Sequence, residues 1–501
     1  NLQGLKDILI DGCGATLIFS NVVGCFNITE SDCIEIRNLK FDWDWDSKPL
    51  SDIVTVANAD SENNELDLVF RDREADENTI FAALTQCDSE TFTYGAKRGT
   101  KEDYIYQHPE CIVSVTKTDK NTLHIKHDGS FSKYADGEVY ILRHYVYDKI
   151  FMRIASSKNV TVDGVSLYGY PGQGFIINNK TSHFQVINSF IGVNPEYKEK
   201  RHTSLGADAF FIENTGGCFN VSNNDISGQG DDALNVHDGL VNVDEVNGNK
   251  IKLTGNVMLM EVGDTLSFRD EKFNETGITA TITDIISING GRYQLVLDKS
   301  LDGIIGEKYL AFNTAYNSSN YIIRNNYIHE NRARGFLLQS SNGLCENNTF
   351  YKIDVQAIKI TMDVSNLICY EGTGVDRLII RNNKFEQCTY GRGGEVITIG
   401  TNLDGETAVS QPFTNIEITG NTFVDFPQYV LKANNINGLV FTDNTIDTGD
   451  TFEREFIRGK SYFGQYCSNI TFENNDYTPN IKQIAKAEKF RMWAEINSQL
   501  L

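Results

Sequence analysis

The stretch Ala-Leu-Asn-Val-His at residues 233–237 has five counterparts along the chain, and this set decides the fold. In every copy the second and fourth positions are apolar. Successive side chains of a strand point to opposite faces, so the apolar positions face an interior and the third and fifth face outward. We therefore expect parallel strands stacked in register. The other copies lie at residues 174–178, 209–213, 335–339, 357–361 and 396–399.

Asparagine-rich turns follow these strands at spacings of about 22 residues or more. One coil of a parallel β-helix needs three short strands and three turns, or roughly 20–25 residues. Asparagine tolerates the left-handed backbone of such turns and can pair with its copy one coil away. The repeat predicts a right-handed parallel β-helix. The turns lie at residues 223–224, 325–326, 347–348, 382–383, 420–421, 443–444 and 474–475.

Two segments interrupt the coil pattern with antiparallel β features. They contain alternating runs and hairpin-like turns such as Asn247-Gly248 and 289–291. The predicted class is all-β: a parallel β-helix with two inserted antiparallel barrel or sandwich modules and a short C-terminal helix. We expect the β-helix to comprise residues 1–45, 140–238 and 316–480. The two insertions comprise residues 46–139 and 239–315, and the C-terminal α-helix comprises residues 481–501.

The composition narrows the function classes. The formal net charge of −23 argues against nucleic acid, whose phosphates require basic partners, and weakly against an anionic substrate. A neutral carbohydrate fits better. None of the ten cysteines forms a CxxC pair, so we expect no zinc or redox site and no cofactor.

The sequence gives only indirect information about where the protein is located. No stretch is long and apolar enough to span a membrane. The chain opens at Asn1 in strand-like sequence, which we interpret as a processed or trimmed form. We expect a secreted or periplasmic protein, and this expectation comes from the function discussed below. A homodimer is compatible with the chain.

Three aspartates are the candidate catalytic residues. Asp208 and Asp232 are 24 residues apart, or one coil, and Asp231 precedes Asp232. Like charges so close push their pKa values apart, which lets one carboxyl act as an acid and another as a base. Inverting glycoside hydrolysis needs this pairing. The superposition puts one residue per coil in a column before each strand: Gln173, Asp208, Asp232, Arg334, Gln356 and Glu395.

Other readings of these residues stay open. An Asp-Asp pair in a turn is often a solvated surface feature, and clustered carboxylates also bind Ca²⁺; we expect no metal. Arg334 either contacts a sugar or forms an ion pair within the stack. His237 and Gln339 lie on the outer face, where each either binds a sugar hydroxyl or completes a turn.

Two further expectations concern the insertions. Trp43 lies where the first insertion leaves the coil, and its indole either stacks on a sugar or packs the insertion. The second insertion leaves the coil just after His237, so we expect it to overhang the aspartates. A walled pocket of this kind favours release of a terminal sugar.

Several motifs resemble glycoside hydrolase family 110, the α-1,3-galactosidases that remove terminal galactose from blood-group-B-type structures. Residues 231–237 resemble that family's Asp-Asp-Ala-Ile-Asn-Val-His signature, and the likeness covers most of the chain. The other matching stretches are 143–148, 171–175, 207–209, 332–335, 370–375 and 377–383.

The resemblance implies an inverting exo-hydrolase of terminal α-galactosides that needs no metal. It implies that Asp231 is the acid and that Asp208 and Asp232 activate water. By the same resemblance, the sugar-contact candidates are Arg143, His237, Arg334 and Glu371.

Two alternatives remain at this point. A polygalacturonase-type enzyme of family 28 shares the β-helix and an Asp plus Asp-Asp arrangement; a basic pocket beside Asp231 would favour it. A non-catalytic carbohydrate-binding β-helix fits the repeats equally well, and only the aspartate cluster argues against it.

Overall fold

Three long parallel sheets form the body of the molecule. The computed structural model describes residues 1–97, 99–365, 369–392, 394–403, 408–452 and 462–478. Within them the chain passes in turn through sheets A, B and C and then returns to A one coil further on. The predicted all-β class, a parallel β-helix with two antiparallel insertions, is confirmed. The C-terminal helix predicted at 481–501 lies outside the described residues.

Sheet A holds the strands that carry the repeat described above. Its parallel strands are Leu2–Gln3, Phe26–Thr29, Lys149–Ala155, Gly172–Asn178, Phe210–Glu213, Leu234–His237, Phe336–Leu338, Ile358–Ser365, Glu395–Leu403, Tyr429–Asn434 and Tyr462–Gln465, with Cys369–Glu371 added antiparallel to Ile358–Ser365.

Sheets B and C complete each coil. Sheet B consists of Lys6–Asp11, Asp32–Arg37, Lys158–Asp163, Ser182–Ile187, Gly217–Ser222, Tyr321–Arg324, Gly343–Glu346, Val375–Arg381, Phe413–Thr419, Ile436–Thr442 and Ser468–Glu473. Sheet C consists of Thr16–Phe19, Lys40–Trp43, Ser166–Leu167, Phe190–Ile191, Asp225–Ser227, Tyr327–His329, Thr349–Tyr351, Lys384–Glu386, Thr422–Val424, Thr445–Asp447 and Asp476–Thr478.

The register of sheet A is the one that the sequence superposition predicts. Each paired residue is the second position of its repeat, and its side chain is buried inside the coil. The pairs are Phe175 with Phe210, Phe210 with Leu234, Leu234 with Phe336, Phe336 with Ile358, and Ile358 with Ile397.

An asparagine ladder joins the turns between sheets B and C. The side-chain amide of Asn224 donates to Asn326 Oδ1 at 3.0 Å, and Asn326 donates to Asn348 Oδ1 at 2.9 Å. The residue before each ladder asparagine has positive φ and is itself often asparagine, as at Asn325 (55°) and Asn347 (57°). Most of these turns therefore use asparagine twice, once for its backbone freedom and once for its side-chain amide.

The first insertion is an open, seven-stranded antiparallel sheet, which we call sheet D. The Ser51 and Thr203 hydroxyls lie 2.8 Å apart, and Lys352 Nζ donates to Asp88 Oδ2 at 2.9 Å, so the sheet is fixed to distant coils. Its strands are, in spatial order, Glu102–Asp103, Ala83–Gln86, Val139–Arg143, Ser51–Asp60, Glu65–Phe70, Thr122–His127 and Ile112–Asp119.

The second insertion is a closed barrel with its own apolar core. It attaches to the coil where Ser318 Oγ donates to Asp238 Oδ1 at 2.6 Å and Lys180 Nζ donates to Glu261 Oε2 at 2.5 Å. Its strands are Val241–Asn247, Lys250–Gly255, Arg292–Leu297, Glu275–Asn289, Thr265–Arg269 and Leu310–Asn313.

Helical structure in the described part of the chain includes three 3₁₀ turns, at Ile105–Gln107, Pro109–Cys111 and Pro195–Tyr197. No helix among the described residues combines the length and apolar character needed to cross a bilayer.

Candidate active site

The three aspartates meet at the edge where the strands of sheet A begin. The backbone N–H of Ala209 donates to Asp232 O at 3.0 Å, which extends the ladder into the column and stacks Asp208 beside Asp232. One carboxylate oxygen from each of Asp208, Asp231 and Asp232 lies within 4.8 Å of the other two. The three carboxylates therefore lie together, as the sequence predicts.

Gly230, just before the pair, is required by close packing beneath the cluster. A Cβ at Gly230 would lie 2.4 Å from Arg143 Nη1 and 2.4 Å from Gly206 O. Arg143 Nη1 instead donates to Gly230 O at 3.1 Å and to Gly206 O at 3.3 Å. The predicted sugar contact Arg143 therefore lies beneath the aspartate turn and is buried there.

Burial shapes the electrostatics of the cluster. Asp208 and Asp232 are only 5% and 1% exposed. Burial, and then the charges of Asp231 and Asp232, raise the pKa of Asp208 well above its usual value. Burial also raises the pKa of Asp232, although the Arg334 guanidinium opposes the rise. Closely coupled carboxyls titrate as a group, so the cluster holds protons that a lone surface aspartate would lose.

Arg334 occupies the next place in the column and binds Asp232 directly. Its Nε donates to the two carboxylate oxygens at 2.8 and 3.1 Å, and its backbone N–H donates to Oδ1 at 2.9 Å. Arg334 therefore forms an ion pair within the stack, which is one of its two predicted roles. Its side chain also remains 27% exposed, which leaves part of it accessible to a ligand.

Asp231 has different neighbours. The Tyr147 hydroxyl donates to Asp231 Oδ2, and Arg332 Nη1 lies 3.6 Å from Oδ1. Sequence reasoning missed both partners. Tyr147 lies in the quoted motif 143–148 and Arg332 in 332–335, so the signal was present, but neither side chain was assigned a role.

Glu102 of sheet D holds Arg332 in place. Arg332 Nε and Nη2 donate to its two carboxylate oxygens at 2.5 and 2.6 Å, and Arg392 Nη2 donates to Oε2 at 2.5 Å. Arg143 Nη2 lies 3.5 Å from Oε1. Burial alone would raise the pKa of Glu102, but Arg332, Arg392 and Arg143 together lower it to about 2. Glu102 is therefore a buried anion shared by three guanidiniums.

Tyr104 completes this layer. Its ring centroid lies 4.6 Å from the guanidinium carbon of Arg332 and 5.4 Å from that of Arg143. A ring face over a guanidinium is a favourable cation–π geometry. Residues 102–104 thus connect the first insertion to the support of Asp231, an arrangement that no local sequence pattern indicates.

A second group of polar side chains lies at the opposite end of the same strands. Gln339 Nε2 donates to Glu371 Oε2 at 2.9 Å, and His237 Nδ1 lies 3.0 Å from Asn235 Oδ1. His237 and Gln339 are fully buried, and Gly239 forms a β-bridge with Glu371. Burial alone would raise the pKa of Glu371, but His237, Gln339 and Arg334 lower it.

The structure bears on both expectations about the insertions. Trp43 is buried: its Nε1 donates to Lys48 O at 2.5 Å, and its ring packs with Trp45 and Leu50. The structure therefore does not bring Trp43 to the aspartates, because the indole fills the base of the first insertion. The first insertion borders Asp231, because its Glu102 binds Arg332, which lies beside that aspartate. The overhang of the second insertion stays a prediction.

The donor set bears on whether the cluster holds a cation. Hard cations accept clustered carboxylate oxygens. Here both oxygens of Asp232 already accept from Arg334, and Arg332 lies beside Asp231. A divalent ion would have to displace or repel these guanidiniums, so the arrangement favours acid–base chemistry over metal binding.

The chain is similar to curated α-1,3-galactosidases along most of its length. No family model matches it. It is 24% identical to α-1,3-galactosidase A of Bacteroides fragilis (strain YCH46), over 98% of this chain and 82% of the relative. It is 23% identical to α-1,3-galactosidase B of Bacteroides thetaiotaomicron, over 95% of this chain and 79% of the relative.

Solved structures are more distant. A structure titled "Glycoside hydrolase" covers 97% of this chain and 91% of its own at 9% identity, with a TM-score of 0.43. A family 28 exopolygalacturonase of Yersinia enterocolitica covers 93% and 74% at 11% identity, with a TM-score of 0.33. The protein is a parallel β-helix, and its resemblance to glycoside hydrolase family 110 is confirmed by the full-length similarity to curated α-1,3-galactosidases.

Proposed function

We propose that this protein is an exo-acting, inverting glycoside hydrolase that releases terminal α-1,3-linked galactose from oligosaccharides or glycans. The observation that carries the proposal is the convergence of Asp208, Asp231 and Asp232 within 4.8 Å on one edge of sheet A. The curated relatives, which match nearly the whole chain and are named α-1,3-galactosidases, support the choice of substrate.

Asp231 is the proposed acid. It is the most accessible of the three, and Tyr147 and Arg332 hold its two oxygens from different sides. In the reaction the proton of Asp231 passes to the glycosidic oxygen as the bond from that oxygen to the anomeric carbon breaks.

Asp208 and Asp232 are the proposed bases. Two hydrogen bonds of about 2.7 Å that meet on one water near the tetrahedral angle span about 4.5 Å. Oxygens of Asp208 and Asp232 lie within 4.8 Å of each other, a limit that includes this span. Its oxygen attacks the anomeric carbon and its proton passes to one of the two carboxylates. The Arg334 guanidinium, which binds Asp232, favours the ionised, proton-accepting form of that carboxyl.

The spacing of acid and base bears on the stereochemistry. Two carboxyls usually lie about 6.5–9.5 Å apart in inverting enzymes and about 5–5.5 Å apart in retaining ones. The 4.8 Å limit between oxygens here is on the short side. Inversion is therefore supported by the paired bases and by the family resemblance, and the separation alone does not favour it.

The polygalacturonase alternative requires free positive charge beside Asp231. Arg332 lies there, but Glu102 accepts two hydrogen bonds from it, and Arg334 is bound to Asp232. These paired guanidiniums favour a neutral sugar over a galacturonate. We also propose a secreted or periplasmic location, where glycan substrates are met; the homodimer stays a prediction.

The test is to incubate the chain with Galα1-3Gal and with polygalacturonate while following the products by NMR. We expect galactose that appears first as the β-anomer, and a loss of about 10³-fold or more in Asp231→Asn. Asp284→Asn, which changes an exposed carboxylate of the barrel, is the matched control and should retain full activity.

Each other result redirects the assignment. First appearance of the α-anomer would retain the galactosidase and replace inversion by retention. Release of galacturonate would move the protein to the polygalacturonase type. Sugar binding without turnover would favour the non-catalytic carbohydrate-binding β-helix.

A further inference from the structure

Two exposed tyrosines stand at the mouth of the aspartate cluster. Tyr106 and Tyr147 are 38% and 45% exposed, and their ring centroids lie 6.1 Å apart. Tyr104 lies behind Tyr106 at 5.6 Å and faces the arginines described above. The three rings therefore form a continuous aromatic edge, half-buried at Tyr104 and open to solvent at Tyr106 and Tyr147.

Both open rings are held in position. Tyr106 belongs to the 3₁₀ turn Ile105–Gln107, in which Ile105 is buried, and its backbone N–H donates to Ala82 O at 2.9 Å. The Tyr106 hydroxyl accepts from Gln107 Nε2 at 3.1 Å. Tyr147 is fixed by the bond from its hydroxyl to Asp231. Adjoining exposed aromatic rings form an apolar patch of the kind that marks ligand-binding grooves.

We propose that Tyr106 and Tyr147 form the subsite that binds the leaving sugar, by stacking their rings against the apolar C–H face of a neutral pyranose. The inference rests on the proposed function and deepens it. An acid that protonates the glycosidic oxygen lies beside the leaving group. Because the Tyr147 hydroxyl touches Asp231, its ring lies within one side chain of that group. Tyrosine offers an apolar face with a polar tip, which suits a sugar with its mixed surface.

The deeper parts of the site take the other sugar in this assignment. Arg334 binds Asp232, and the group around Glu371 lies at the far end of the same sheet A strands. The terminal sugar and the leaving sugar would thus contact different parts of the chain: the coil for the first, and the first insertion with its adjoining turn for the second.

The experiment compares two substrates that differ only in the leaving group. Galα1-3Gal fills the proposed subsite with a sugar, whereas α-galactosyl fluoride leaves it empty. In Tyr106→Ala we expect a rise of about tenfold in KM for Galα1-3Gal, from the loss of one stacked ring face, and no change for the fluoride. Tyr327→Ala is the matched control, because Tyr327 is equally exposed but lies on sheet C.

The outcomes separate the two proposals. If Tyr106→Ala raises KM equally for both substrates, or for neither, the proposed subsite is overturned and the galactosidase assignment is unaffected. Wild-type chain that hydrolyses neither substrate would overturn the proposed function and the subsite together. Retention of wild-type KM for the disaccharide in Tyr106→Phe, which keeps the ring, would support stacking over a hydrogen bond from the hydroxyl.

Discussion

The two insertions are both antiparallel β-structures, but they relate to the coil in opposite ways. Sheet D is open, and its edge strand Glu102–Asp103 carries Glu102 into the support of Asp231. The second insertion closes on itself as a barrel, so its strands keep no free edge for the coil. It attaches through groups such as Lys180 and Asp238, near the ends of the sheet A strands.

This difference shows what an open edge provides. A closed barrel satisfies its own backbone and buries its own core, so it can be added with few demands on the coil. An open sheet has edge strands with unpaired backbone groups, and the edge strand Glu102–Asp103 of sheet D contacts the buried Arg332 of the coil. Changes in sheet D should therefore affect both stability and catalysis, whereas comparable changes in the barrel should affect neither strongly.

The largest effect is expected for Glu102→Gln. Removing this carboxylate leaves Arg332 and Arg143 buried without their counter-charge, at a cost of about 3–5 kcal/mol in unfolding free energy. Arg332, which lies 3.6 Å from Asp231, would lose the partner that fixes its position, and turnover should fall by about tenfold or more. Denaturant unfolding and initial rates measure the two effects.

Glu245→Gln in the barrel is the matched control. Its pair with Lys252 has the same 2.5 Å separation but is exposed, and such pairs contribute about 0.2–1 kcal/mol. Equal costs in the two variants would contradict the contrast between the insertions.

A smaller effect is expected in the acid range. A carboxyl whose pKa is lowered on folding contributes stability above its unfolded pKa, and that stability is lost as the pH falls through the folded pKa. For Glu102 the interval runs from 4.5 down to about 2. The difference in unfolding free energy between wild type and Glu102→Gln should therefore shrink by about 3 kcal/mol across this interval. A difference that stays constant from pH 5 to pH 2.5 would show that Glu102 is not held as an anion.

The smallest effect is expected at the base of the barrel. Lys180→Met keeps the apolar stem and removes the charge that pairs with Glu261 and Asp264, at 32% exposure. The cost should be below about 1 kcal/mol, with unchanged kcat and KM. A loss of activity here would mean that the barrel takes part in the site, which would erase the distinction between the two insertions.

Much of the fold could be predicted from the sequence because a β-helix repeats. The same strand pattern recurs in each coil, so superposing copies predicts which residues are neighbours in space. This placed Asp208 beside Asp232 and Arg334 next in the column, and the strand register confirms that order. The asparagine turns were predictable for the same reason, since each is stacked on its copy.

The remainder of the site depends on contacts that do not repeat. Glu102 and Arg332 are 230 residues apart in sequence, and Tyr147 and Asp231 are 84 apart. The sequence also could not predict that Trp43 is buried. An aromatic residue at the start of an insertion has the same local pattern whether it packs against the insertion or binds a sugar.

By itself, the sequence determined the class of fold, the register of the coil and the column that gathers the three aspartates. Those features come from alternating side chains and stacked copies, which are local or periodic. Only the tertiary structure decided which insertion borders Asp231, which guanidiniums share Glu102 and which tyrosines face solvent beside the cluster. Those features depend on where two unrelated segments meet, and the closing of long loops leaves no mark in the local pattern of residues.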